Sequence, residues 1–201
     1  MAPLKIVQAG HPVLRSRARP LAAKEIRSRA IQELIERMRE TMRDAPGVGL
    51  AAPQIGEPLQ LAVVEDREEY QRNVHEERLD LLERRPVPFQ VIINPHITLL
   101  SGRAPARFFE GCLSVTGMIG LVPRALDVHV DALDERGQPL SIDAHGWHAR
   151  ILQHEIDHLA GVLCIDRMYT RTMMTQENYG QYWGTKSIEE IWSEIEPERS
   201  P

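Results

Sequence analysis

The chain has 201 residues, 42% of them hydrophobic and 26% charged, the proportions of a soluble globular protein with room for one core. A net charge of −5 excludes a general pull toward nucleic acid or anionic membrane, and no apolar run approaches the roughly 18 residues that a bilayer-spanning helix needs. Two cysteines, Cys112 and Cys164, cannot make a disulfide framework, and without an apolar signal core at the N-terminus they point to a reducing, cytoplasmic setting.

Residues 4–20 read as an irregular arm broken by Pro12 and Pro20. Over 23–43, Ile31, Leu34, Ile35, Met38 and Met42 recur at helical spacing, which predicts an amphipathic helix covering a core. Next comes Gly47-Val48-Gly49-Leu50-Ala51-Ala52-Pro53-Gln54. Its glycines and small residues rule out a long regular element and let backbone approach a neighbour closely. No Lys-Ser/Thr follows the glycines, so it is not a phosphate-binding loop. A β-rich run over 59–65 leads into 66–86, which is dense in charge and reads as a partly helical surface insertion without chemistry. Strands are expected at 90–94 and 97–100, meeting at Asn94-Pro95, and over 125–133, where Leu126, Val128 and Val130 alternate with Asp127, His129 and Asp131. Asp134-Glu135-Arg136-Gly137 then turns the chain into a partner strand at 139–144. Residues 170–201 form a C-terminal arm and helix. There Ser187-Ile188-Glu189-Glu190 is a capping box ahead of Ile191, Trp192 and Ile195 on one helical face, which docks on the body or on a partner. The pattern defines an α+β fold, mixed or antiparallel strands around a central helix, as a single domain over 1–201.

That central helix carries Gln153-His154-Glu155-Ile156-Asp157-His158. Histidines four residues apart leave a helix on one face and can reach one metal ion, with Glu155 leaning toward the same pocket. In such sites the carboxylate takes a proton from water on the metal. The same spacing also serves a solvated helix face, and two histidines leave a site one protein ligand short. Asp166 and Glu177 are downstream candidates. Upstream, Cys112 follows a glycine in Glu110-Gly111-Cys112-Leu113-Ser114, where a metal would hold it as thiolate, although a single cysteine is often plain core.

Taken together, Gly47 to Gln54, Glu110 to Ser114 and Gln153 to His158 resemble the three signature motifs of peptide deformylases, in the family's order. Gly10-His11-Pro12-Val13-Leu14-Arg15 and Leu121-Val122-Pro123-Arg124 extend the likeness over most of residues 6–168. The resemblance implies a metal-dependent hydrolase that removes the N-formyl group from the initiator methionine of nascent polypeptides and releases formate. It makes Cys112, His154 and His158 the metal ligands and Glu155 the general acid/base. Gln54, through its side-chain amide, and Leu113, through its backbone N–H, become donors to the formyl oxygen. Val48, Gly49 and Gly111 match positions whose backbone pairs with the substrate like an added strand. Phe108, Trp147 and Ile151 match the wall of the methionine pocket, although Trp147 and Ile151 serve equally well as core.

Trp147, Arg150 and the run Arg171 to Met174 look more like the branch found in plant and animal organelles and in some bacteria, since many bacterial members carry small aliphatic residues just before the metal helix. Arg150 is expected at that pocket or on the solvent side of the helix. Asp157 is expected to orient a ligand histidine, and Glu110 to pair with Arg124. The family's ion is typically ferrous iron, with nickel, cobalt or zinc as substitutes, and a Cys/His₂ set suits several of these. The implied partners are N-formyl-methionyl nascent peptides, with transient ribosome contact, no specific nucleic-acid sequence and no membrane. The implied compartment is the bacterial cytoplasm, or an organelle after loss of a transit peptide. Two other readings compete: a peptidase on the same helix, disfavoured by Gln54 and the upstream cysteine, and a metal-stabilised binding module, disfavoured because every expected catalytic residue is present.

Overall fold

Two antiparallel sheets enclose one buried helix. The computed structural model describes residues 3–72 and 74–195, so the two ends of the expected 1–201 domain, including the last residues of the 170–201 arm, lie outside the described residues. After an arm with one 3-10 turn at Pro12–Arg15, the expected first helix forms as two pieces, α1 (Ala23–Ile26) and α2 (Arg29–Asp44). The break has a local cause: the Ser28 hydroxyl accepts the Ile31 amide at 3.4 Å and starts α2 afresh.

The larger sheet runs in the order β1 (Gly49–Ala51), β2 (Leu61–Asp66), β3 (Val87–Leu99), β6 (Asp127–Leu133) and β7 (Pro139–His145). The two strands expected around Asn94-Pro95 are one strand, β3. Its bend is absorbed by Asn94 at φ +51° and a register shift between Ile93 and His96. Asparagine tolerates this conformation, and its side-chain amide is held there by both backbone groups of Leu21, at 2.8 Å each. On one face of the sheet α2 buries Ile35, Met38 and Met42 against Leu61, Val63 and Val91. On the other, α4 (Gly146–Leu159) buries Ala149, Ile151 and Leu152 against Ala62, Val64, Val128 and Val130.

The smaller sheet, β4 (Ala106–Cys112), β5 (Val115–Arg124) and β8 (Met174–Thr175), was not expected. Gly111, Gly117, Gly120 and Pro123 interrupt the alternation that marks a strand. Gly120 is required by packing, since a Cβ there would lie 2.4 Å from the Met168 sulfur just after α5 (Cys164–Arg167). Both sheets present outer strands, β1 and β4, toward the same cleft.

Within 66–86, Asp66 is fully buried and accepts from Arg84 Nε and Nη2 at 2.7 and 2.8 Å, with α3 (Glu76–Leu81) between them in the chain. The Leu82 carbonyl accepts the Trp147 amide at 3.0 Å and so ties this segment to the first turn of α4. At the far end α7 (Ile188–Ile195) carries the expected capping box, Ser187 N–H to Glu190 at 2.7 Å and Glu190 N–H to Ser187 at 3.2 Å. Of the two expected destinations it takes the body: Ile191 is fully buried, and Trp192 meets Tyr169 edge to face with ring centroids 4.6 Å apart. No helix among the described residues is long and apolar enough to cross a membrane.

Candidate metal centre and cleft

Cys112 is the last residue of β4, where a register shift after Gly111 displaces it from the regular pleat. Its Sγ comes within 3.3 Å of His158 Nε2, and one ligand atom from each of Cys112, His154 and His158 lies within 4.8 Å of the other two. The two imidazoles share one face of α4, edge to face at 5.0 Å between centroids. His154 Nδ1 donates to Glu110 at 2.9 Å, which leaves Nε2 for an ion. His158 Nδ1 is buried without a partner.

Glu110 does pair with Arg124, through two bonds of 2.8 and 2.9 Å, and both side chains are buried. Arg124 also donates to Asp157 at 2.6 Å, and Arg167 closes on Asp157 at 2.6 and 2.7 Å. The hydrogen bonds of Asp157 thus act on a ligand histidine at one remove: it steadies the Arg124 that steadies the Glu110 that orients His154. Burial alone would raise the Glu110 carboxyl, but the bonds from Arg124 and His154 override it and hold it well below the carboxylate range. Burial would likewise lower His154, and Glu110 reverses that. His158 is pushed well below its ordinary value by burial and then by the neighbouring His154, which favours the neutral, ligating form. Contact with the Cys164 thiol, together with burial, pushes Cys112 up, so negative charge on its sulfur calls for a cation beside it. One sulfur and two imidazoles, one of them already oriented by a buried carboxylate, fit a divalent transition metal.

Glu155 is 4% exposed. Burial raises its carboxyl to about 7 against the opposing pull of His154 and Arg150, and its Oε2 has no partner. A Cβ on Gly49 would lie 2.2 Å from Glu155 Oε1, so the glycine of β1 is what admits this carboxylate. Gln54 sits on the 3-10 turn Ala52–Ile55 that follows β1. The Ala51 amide holds its Oε1 at 2.8 Å, which turns Nε2 toward Cys112 Sγ at 3.6 Å.

A cleft of about 520 Å³ brings together Gln54, Cys112, Leu113, His154 and Glu155, and its walls include Val48, Gly49, Gly111 and Ile151. Phe108 and Trp147 are not brought to it; they line a neighbouring hollow of about 540 Å³ with Phe109, Arg84 and Tyr179. Arg150 is not on the solvent side. It is buried, lines the cleft and stacks on Trp147 at 3.8 Å. Its position four residues before His154 was the available signal. Gln176, at the start of the short helix α6 (Gln176–Asn178), also lines the cleft, and no sequence pattern pointed to it.

Residues 3–173 match the model of the polypeptide deformylase family, and the chain belongs to that family. It is 50% identical over 173 residues to a chloroplastic peptide deformylase 1A of Solanum lycopersicum, covering 86% of this chain and 62% of the relative. It is 47% identical over 180 residues to peptide deformylase 1 of Bifidobacterium longum, covering 90% and 79%. A solved class I type b peptide deformylase of Acinetobacter baumannii with Met-Ala-Ser bound superposes with TM-score 0.73 at 32% identity, over 83% of this chain and 99% of that one. The chain spans 62% and 64% of the length of the two plant relatives it matches.

Proposed function

We propose that the chain is a peptide deformylase: it removes the formyl group from N-formyl-methionine at the start of nascent polypeptides and releases formate. The observation that carries this reading is the buried Glu155, its Oε2 unpartnered, in one cleft with Cys112 and His154, which with His158 form a metal-capable donor set, in a chain of this family.

Cys112, His154 and His158 would hold the ion, ferrous iron in the cell, with nickel, cobalt or zinc able to substitute. When bound, the ion supplies Lewis acidity that polarises the formyl carbonyl and acidifies a water. Glu155, with its carboxyl near 7, accepts a proton from the attacking water and then delivers it to the methionine nitrogen as the C–N bond breaks. Negative charge grows on the formyl oxygen during attack. Gln54 Nε2 and the Leu113 amide donate to it, and the Ala51 bond holds the Gln54 amide ready beforehand. The outer edges of β1 and β4 accept the peptide as an added strand through the backbone of Val48, Gly49 and Gly111. Ile151 forms the near wall of the methionine pocket, with Trp147 behind Arg150 and Phe108 beside Trp147.

In this reading the chain is one catalytic domain, with 66–86 as an insertion and 170–201 as an arm. It works on chains emerging from ribosomes, with at most transient ribosome contact, in a bacterial cytoplasm or, after loss of a transit peptide, in an organelle. The test is formate release from a short N-formyl-methionyl peptide by protein loaded with ferrous iron or nickel. Formate with no cut at internal peptide bonds is expected; internal cleavage without formate would make the chain a peptidase.

A further inference from the structure

Arg150 is a buried cation without a counter-ion. It is 6% exposed, makes no ion pair with any described residue, and its Nε lacks a hydrogen-bond partner. The acids that feel its charge are Glu110 and Glu155; the first is taken by Arg124 and His154, and the second is the proton carrier of the proposed reaction. A second guanidinium, Arg84, also faces the Trp147 ring, at 4.6 Å, but Asp66 grips it with two bonds. Arg150 has no such partner, and burying a charge with unused donors is costly unless something entering the site uses them.

Its placement says what enters. Residues 150, 151, 154 and 155 lie on one face of α4 and all line the cleft. Arg150 stands one turn before His154, and Ile151 beside it supplies an apolar wall. The indole of Trp147 lies 3.8 Å from the carbon of this intrinsically planar guanidinium. An apolar wall ending in a planar donor suits a side chain with an apolar stem and an acceptor at its tip.

Resting on the deformylase reading, we infer that Arg150 is a specificity-determining residue that donates a hydrogen bond to the terminal sulfur of the formylated methionine. It discriminates the thioether from an all-carbon chain of the same shape, and it extends the substrate range to methionine sulfoxide, whose oxygen is a stronger acceptor than sulfur.

The test compares kcat/KM for tripeptides beginning with N-formyl-methionine, N-formyl-norleucine and N-formyl-methionine sulfoxide, using metal-loaded native protein and the Arg150→Met variant. The native chain should prefer methionine over norleucine by about three- to tenfold, the worth of one hydrogen bond, and should cleave the sulfoxide. In the variant the methionine-to-norleucine ratio should fall to about one and sulfoxide cleavage should drop further than either. A purely structural role lowers all three rates in parallel and leaves the ratio unchanged, which would overturn the inference. A native ratio near one overturns it without any variant. Absence of formate from every peptide with the native protein would instead overturn the deformylase reading beneath it.

Discussion

Glu155 has its unusual carboxyl because of what surrounds it. Burial penalises the charged form, and His154 and Arg150 only partly offset this, so the group lies near 7, where it can both take and return a proton. Gly49 makes that position possible. The glycine-rich stretch could be read from sequence as a place of close backbone approach, but not what it approaches, because Glu155 lies about a hundred residues further on in the chain. A Gly49→Ala change would put a methyl 2.2 Å from Oε1 and force the carboxylate aside. We expect kcat to fall about a hundredfold, the usual cost of misplacing a catalytic group by an ångström, with metal content and circular dichroism unchanged. Native kcat in that variant would show that the carboxylate does not act from where it sits.

Between elements, a chain of charges joins α5 to α4, β5, β4 and back to α4: Arg167, Asp157, Arg124, Glu110, His154. Each buried charge has a partner, the condition under which such a network holds its geometry. The Glu110–Arg124 pair was legible because both residues stood in recognisable motifs. The place of Asp157 was not: helical spacing alone lets residue 157 face solvent, and only the unanticipated second sheet brings Arg124 to it. Removing the carboxylate in Asp157→Ala leaves two guanidiniums without their shared acceptor and loosens Glu110 behind His154. Metal affinity, read by chelator competition, should fall about 10- to 100-fold. Affinity equal to the native value would mean that Glu110 needs no support from Asp157 through Arg124.

At the scale of the molecule, α4 has the large sheet on one flank and the small sheet on the other, and the cleft opens where outer strands β1 and β4 face each other. The sequence announced this helix, the β6–β7 hairpin and the capped α7 through periodicity and turn chemistry, which are local signals. It hid β4 and β5, whose glycines answer to partners distant in sequence, as Gly120 does to Met168. For the same reason the choice between the two places expected for Arg150, pocket or solvent, could not be settled by helical spacing alone: its burial depends on Trp147, Arg84 and Asp66 meeting across elements. The central claim is that a Cys112, His154 and His158 centre works with Glu155 as its proton carrier. It is tested most directly by measuring bound iron and formate release together, on the native chain and on Glu155→Gln, both loaded without oxygen. The account predicts equal metal in both and a variant slower by about a thousandfold. A variant that binds its full metal and releases formate at the native rate would contradict it.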